Sequence, residues 1–295
     1  MSKKSRKKEW AWGYLMIAPN TIGLGIFFVY PLLRLFWDSF HNIKAFNRSS
    51  WCGLKNYVTM FQDETMWRAL GNTCLYVIII LPIMLVLALI IAAMLNSIIR
   101  GASLFRVIYF MPAVTMSTAV AMVWTWLYNR DAGLINVFLN ALGFESVIFL
   151  TNEKLALPAV AVVAIWSTVG YNMIILLAGM QGIDKSYYEA ATVDGANGIS
   201  KFFKITLPLV TPSLFFVMLT SAIGIFQMFN EIILMIGEDG LCLQETQSMV
   251  VYFYMNAFRY SKKGYASAIG VLLFGIIMVF SIIQLKLQKK WVNYS

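Results

Sequence analysis

Long apolar stretches alternate with short polar ones along this chain. Six stretches run 22 residues or more without Asp, Glu, Lys or Arg: Trp10 to Leu33, Ala69 to Ile99, Val107 to Asn129, Leu155 to Ile183, Ile205 to Asn230 and Gly264 to Leu285. A helix of about 20 residues crosses the hydrocarbon core of a bilayer, so each run is long enough to span it. The runs are continuously apolar rather than alternating, which excludes the strands of a membrane barrel. The pattern therefore predicts an all-α membrane protein with six transmembrane helices, over about 10–33, 70–98, 107–129, 155–180, 207–231 and 264–285. They form one membrane domain, 10–290, between a basic tail, 1–9, and a short tail, 291–295. Two further charge-free runs, Ala132 to Phe144 and Thr246 to Phe258, have 13 residues each and suit an interfacial or packed position.

Composition agrees: of 295 residues 60% are hydrophobic and 13% charged, with a mean hydropathy of +0.71. Charge adds an orientation. With the amino terminus inside, thirteen of the 23 Lys and Arg residues fall in the inner segments, which carry the whole net charge of +9. The positive-inside rule then puts both termini and the loop 181–207 in the cytoplasm of a multi-pass cell-membrane protein. The basic residues cap apolar segments and build no folded basic surface, so nucleic acid is excluded as a partner and the lipid bilayer is implied. The first span lacks a small-residue cleavage site and reads as retained rather than as a signal peptide.

Candidate chemistry is sparse. The single histidine, His41, and three cysteines without metal spacing leave no zinc site. Cys52 and Cys242 both fall on the predicted outer side, where a disulfide and two separate thiols remain open. Phosphate-loop and nucleophile-elbow patterns are missing, so no catalytic residue, metal or cofactor is expected. Carriers driven by protons or sodium keep ionisable groups at membrane depth, yet Arg34 and Glu231, at the outer ends of spans, come nearest to that here. A secondary carrier or channel for a small polar solute is the alternative reading, and it would call for an intramembrane ionisable pair or an internal repeat. Uphill transport would instead draw energy through a cytoplasmic partner.

Among the inner loops, 181–207 has the most internal design. Asp184 is placed to cap a helix over KSYYEAATV, Gly195 permits the positive φ that ends it, and Ser200 is a candidate cap for a second helix leading to Phe202, Phe203 and Ile205. Ala190 and Ala191 leave a nearly side-chain-free surface. From these residues alone, an amphipathic connector and a docking surface are equally compatible.

Glu189-Ala190-Ala191, Asp194-Gly195-Ala196, Phe202, Ile205, Leu207-Pro208 and Pro212 together resemble the EAA loop of binding-protein-dependent ATP-binding-cassette import permeases. Gly53 to Tyr57, Asn72-Thr73, Tyr252 to Tyr260 and Gly264 to Ile269 resemble the carbohydrate-uptake branch of that family, in particular permeases similar to the larger membrane subunit of the maltose importer. The resemblance implies a type I importer permease (MetI-like) fold with a cytoplasmic EAA coupling helix. It also implies a second homologous permease subunit, two copies of a cytoplasmic ATP-binding-cassette ATPase that perform the hydrolysis, and an extracellular solute-binding protein that delivers the sugar or oligosaccharide. Glu189, Ala190, Ala191, Asp194, Gly195 and Ala196 would be the ATPase-coupling residues. One departure is the outer stretch MIGEDGLCLQET, which keeps Gly237 and Gly240 but lacks the family's Thr and Pro.

The same resemblance places Trp166, Tyr171 and Ser221 on sugar-contacting positions. Two asparagines of that pattern are replaced by Ile225 and Met228, and Gln227 lies nearby as a further candidate for the substrate path. Aromatic faces and neutral hydrogen-bonding groups suit sugars. Packing between helices is the competing role for all four, and interhelical hydrogen bonding is the role expected of Asn72 and Asn172.

Overall fold

The computed structural model describes residues 3–43, 49–97 and 101–293. The side chains of the basic tail, Arg100 and residues 294–295 lie outside what is described, as does the predicted end of the second span at position 98.

In chain order the helices begin with α1 (Lys3–Leu24) and α2 (Tyr30–Ser39), joined by a wide turn with i→i+5 bonds at Gly25–Val29. Two three-residue strands follow, β1 (His41–Ile43) and β2 (Ser49–Trp51), antiparallel with His41 opposite Trp51. Then come α3 (Lys55–Phe61), α4 (Glu64–Ser97), α5 (Ala102–Val114), α6 (Ser117–Leu127), α7 (Leu134–Ala141) and α8 (Ala156–Gln181). The chain continues through α9 (Lys185–Val193), α10 (Gly198–Lys201), α11 (Leu207–Phe226), α12 (Asn230–Ile236), α13 (Leu243–Thr246), α14 (Met249–Tyr254) and α15 (Lys263–Trp291). The small hairpin apart, the described chain is helical, as the apolar runs require.

Packing divides it into two compact units, 1–62 with 253–272 and 63–252 with 273–295. In the first, α3 holds the hairpin: Asn56 Nδ2 donates to the carbonyls of Ser39 at 2.8 Å and His41 at 3.1 Å, and the Tyr57 and Ser39 hydroxyls meet at 2.7 Å. No residue in the most apolar window of Trp12–Ser39 is buried within the chain.

The second unit is built on α8, whose window is 61% buried, the highest share of the five long apolar helices. It packs extensively against α4, one face of which, at Tyr76, Ile80, Met84, Ala88 and Ala92, recurs at helical spacing and is fully or almost fully buried. The opposite face is equally apolar but exposed, at Ile78, Val86 and Met94. A helix greasy on all sides and buried on one is suited to a bilayer. On its other side, α8 meets α5 so closely at Gly170 that a Cβ there would collide with the Tyr109 carbonyl oxygen.

The structure differs from the sequence expectation in the third apolar run. The stretch read as one span over 107–129 is two helices, α5 and α6, bent by 97°. Thr115 (φ −79°, ψ 140°) and Met116 (φ −57°, ψ 127°) are extended and interrupt the helical bonds. Pro112 already removes one amide donor from the last turn of α5. Among the described residues five helices are thus long and apolar enough to cross a membrane, or six if the bent pair counts as one span. The fifth apolar run also stops early: α11 ends at Phe226, and α12 starts anew at Asn230.

Candidate functional site

Two features of the second unit gather the residues singled out by sequence, and α11 joins them. The first is the hairpin 181–207. Asp184 caps α9 as expected, its Oδ1 accepting the Ser186 amide at 2.8 Å. The Ser186 amide and then its side chain hold the Asp184 carboxyl below the usual carboxylate range. At the other end Gly195 has φ +76°. Its N–H donates to the Thr192 carbonyl at 3.1 Å, and the Ala196 N–H reaches back to the Ala191 carbonyl at 2.9 Å. These paired bonds are the Schellman closure of a helix, which needs the left-handed conformation glycine adopts without strain.

The second arm is capped by Asn197, not Ser200. The Asn197 side-chain oxygen accepts the Ser200 amide at 2.8 Å, so the serine expected as cap supplies the donor instead. From Gly198 the chain stays helical through a wide turn at Phe202–Thr206 and on to Phe226, a single rod of 29 residues. Two contacts tie the arms together: the Tyr188 and Thr206 hydroxyls at 3.0 Å, and Lys201 Nζ donating to Thr192 Oγ1 at 2.7 Å. Nothing on α9 is buried. Glu189, Ala190, Asp194 and Gly195 are exposed, Ala191 and Ala196 half-buried. Around them stand large apolar side chains open to solvent, with Val193 89% and Ile199 73% exposed, and Phe203 and Tyr187 also exposed.

The second feature is a half-open cavity of about 560 Å³ lined by α4, α8, α11, α12 and the bend between α5 and α6. Tyr171, Ser221 and Gln227 line it. Trp166 lies outside the lining; its ring packs edge-on against Trp124 with centroids 5.6 Å apart. Residues five apart on a helix point about 140° apart, so Trp166 and Tyr171 serve different faces of α8. Asn172 is buried and joins three helices: its Nδ2 donates to Thr168 O and contacts Met84 Sδ, both at 3.1 Å, while its Oδ1 accepts from Ser221 Oγ at 3.3 Å. Asn72 also fills its expected role, donating to the carbonyls of Gln244 at 3.0 Å and Gln247 at 3.2 Å.

Among the other lining residues, Thr115 and Ser117 escaped the sequence reading, whereas Glu231 stood out at the outer end of its span with Asn230 beside it. Thr115 and Ser117 reach the wall because the helix breaks between them, and Asn230 and Glu231 because α12 sets off on a new axis. Pro112, one turn before the first break, was the available signal there; the second has no such proline. Cys52, Cys74 and Cys242 are free thiols in the structure.

An apolar helical bundle, an exposed capped hairpin and a cavity lined by hydroxyl and amide groups are the features of a membrane transport subunit. Residues 58–293 match the family described as binding-protein-dependent transport system inner membrane component, and the chain belongs to that family. It is similar to the probable ABC transporter permease protein YesP of Bacillus subtilis, 35% identical over 99% of this chain and 96% of that one. It is also similar to the arabinooligosaccharides transport system permease protein AraP of Bacillus subtilis, 34% identical over 93% of this chain and 88% of that one. A solved bacterial ABC transporter involved in the import of the acidic polysaccharide alginate has the same fold, with a TM-score of 0.87 at 24% identity over 98% of this chain and 99% of that one.

Proposed function

We propose that this chain is the permease subunit of an ATP-driven importer that admits a carbohydrate delivered by an extracellular solute-binding protein. The observation that carries the reading is the hairpin 181–207, capped at both helices, with no buried residue on α9 and ringed by the exposed Tyr187, Val193, Ile199 and Phe203. Exposed apolar side chains around a polar and alanine-rich centre suit a protein partner. In this reading α9 is the coupling helix seated in a groove of the cytoplasmic ATPase. Glu189 meets polar or basic groups there, Ala190 and Ala191 permit close seating, and Asp194, Gly195 and Ala196 form the elbow. Two ATPase copies hydrolyse ATP and drive this subunit and a second homologous permease between inward-open and outward-open states. Both termini and the hairpin lie in the cytoplasm, in keeping with the basic residues that flank the spans.

The carbohydrate class is supported by the likeness to the arabinooligosaccharides permease AraP and by the cavity, whose lining mixes an aromatic ring with hydroxyl and amide groups. Tyr171, Ser221 and Gln227 lie on the substrate path, and Trp166 borders it.

Proteoliposomes carrying the chain with its second permease, ATPase and binding protein test this. Uptake of arabinotriose or another neutral oligosaccharide should require ATP on the ATPase side and the binding protein. Equal uptake by the chain without ATPase would overturn the ATP-driven reading in favour of a secondary carrier or channel. Tyr171→Ala and Trp166→Ala should alter uptake or preference; if neither does, those positions are not on the path.

A further inference from the structure

We infer that Glu231 makes the cavity selective against anions, so that the solute admitted is a neutral saccharide and not an acidic one. The inference rests on the cavity being the substrate path and narrows the class of carbohydrate it takes.

The described residues lining the cavity include many hydroxyl and amide groups, but a single charged side chain, Glu231, and no Lys, Arg or His. Glu231 opens α12, beside Asn230 and close to Gln227. It is half-buried and has no ion-pair partner among the described residues. A carboxylate at neutral pH only accepts hydrogen bonds, and its two oxygens can receive several donors at once. Sugar hydroxyls supply such donors, and adjacent hydroxyls can share the two oxygens. A second anion is treated differently. At about 8 Å and an effective dielectric of about 20, like-charge repulsion disfavours it by ten-fold or more. No cation on the wall offsets this. The fold is shared with an importer of the acidic polysaccharide alginate, but here the cavity charge has the sign that repels such a substrate.

The helix break creates the filter. Were α11 to continue unbroken beyond Phe226, Asn230 and Glu231 would follow its axis; the non-helical Phe229 (φ −138°, ψ −55°) redirects them to the cavity wall.

Charged thiol reagents read this field without knowledge of the natural sugar. Gly224 lines the cavity and has open space where a Cβ would go, so Gly224→Cys puts a thiol on the wall. The experiment uses membrane vesicles holding the full chain with its transport partners, with Cys52, Cys74 and Cys242 replaced by Ala. The probes are the trimethylammonium-ethyl and sulfonato-ethyl methanethiosulfonates, similar in size and opposite in charge. With Glu231 present, the ratio of cation to anion reaction rates should exceed that of the Glu231→Gln variant by ten-fold or more. Glu231→Asp keeps the charge and should keep the ratio, which separates charge from folding damage. Equal ratios with and without the carboxylate overturn the inference, as does a thiol that neither reagent reaches. Uptake of digalacturonate that depends on this chain also overturns it. A changed ratio together with unaltered uptake by Tyr171→Ala would uphold the filter and refute the cavity as substrate path; an unchanged ratio with impaired Tyr171→Ala uptake would do the reverse.

Discussion

Replacing Gly195 tests the hairpin most directly, because its requirement is one of backbone alone. A Cβ at Gly195 would meet nothing within 4 Å, so a side chain there clashes with no neighbour. What it cannot readily share is φ +76°. An L-residue in the left-handed region costs roughly 1–2 kcal/mol, and a β-branched one lies at the upper end. Gly195→Val should thus lower the closed-turn population by up to roughly thirty-fold at about 2 kcal/mol, since each 1.4 kcal/mol is about a factor of ten. Asparagine visits this region far more readily, so Gly195→Asn should lose only a fraction of that. Hydrogen exchange provides the structural readout: the Ala196 amide, bonded to the Ala191 carbonyl, should lose protection in the Val variant and largely keep it in the Asn variant. Solute uptake should follow the same order, with Gly195→Val well below wild type and Gly195→Asn close to it, while both variants reach the membrane at normal levels because no buried contact is touched. Wild-type uptake and Ala196 protection in Gly195→Val would refute the argument. So would equal damage by Asn and Val, which would point to the added side chain rather than to φ.

Two further outcomes follow from the same unit. Asn172→Leu removes the bond to Ser221 and leaves that hydroxyl short of a partner, which should cost about 1–3 kcal/mol and lower the detergent unfolding midpoint; an unchanged midpoint would mean that the Asn172 bonds contribute little. Burial, and then the charges of Glu245 and Glu153, push the Cys242 thiol up from its usual value. A raised acid favours the protonated native state, so this contribution is full below the ordinary thiol pKa and is lost as pH rises toward the folded one. Maleimide at pH 8 should therefore modify Cys52 well ahead of Cys242, and rapid native-state labelling of Cys242 would contradict the buried environment.

Local chemistry was legible where a few adjacent residues decide the outcome. Asp184 before a run of helix formers and Gly195 after it each act within one turn, and both appear in the structure as the sequence suggested. The second cap shows the limit of such reading: Asn197 and Ser200 are both good capping residues three positions apart, and the start of α10 is what decides between them. The break at Thr115–Met116 had only Pro112 to mark it inside a run of uniform hydropathy, and the break at Gln227–Phe229 had no proline at all, only the polar Asn230 and Glu231 that open α12 beyond it. Tertiary packing bends these runs, and a composition window is blind to direction. The cavity shared that fate. Tyr171, Ser221 and Gln227 line the cavity, whereas Trp166, placed with Tyr171 by the resemblance, lies about 140° round the helix from it and packs on Trp124.

The unbroken rod from Gly198 to Phe226 has a mechanical consequence. It starts in the exposed hairpin and ends beside the cavity, with no loop between them to absorb motion. At 1.5 Å per residue it is about 43 Å long, so a tilt of about 5° imposed at the hairpin swings the far end through nearly 4 Å. That displacement is larger than a water molecule. A push at the surface of this protein thus arrives at Ile225 and Gln227 geometrically amplified, and the stiffness of one helix sets the gain.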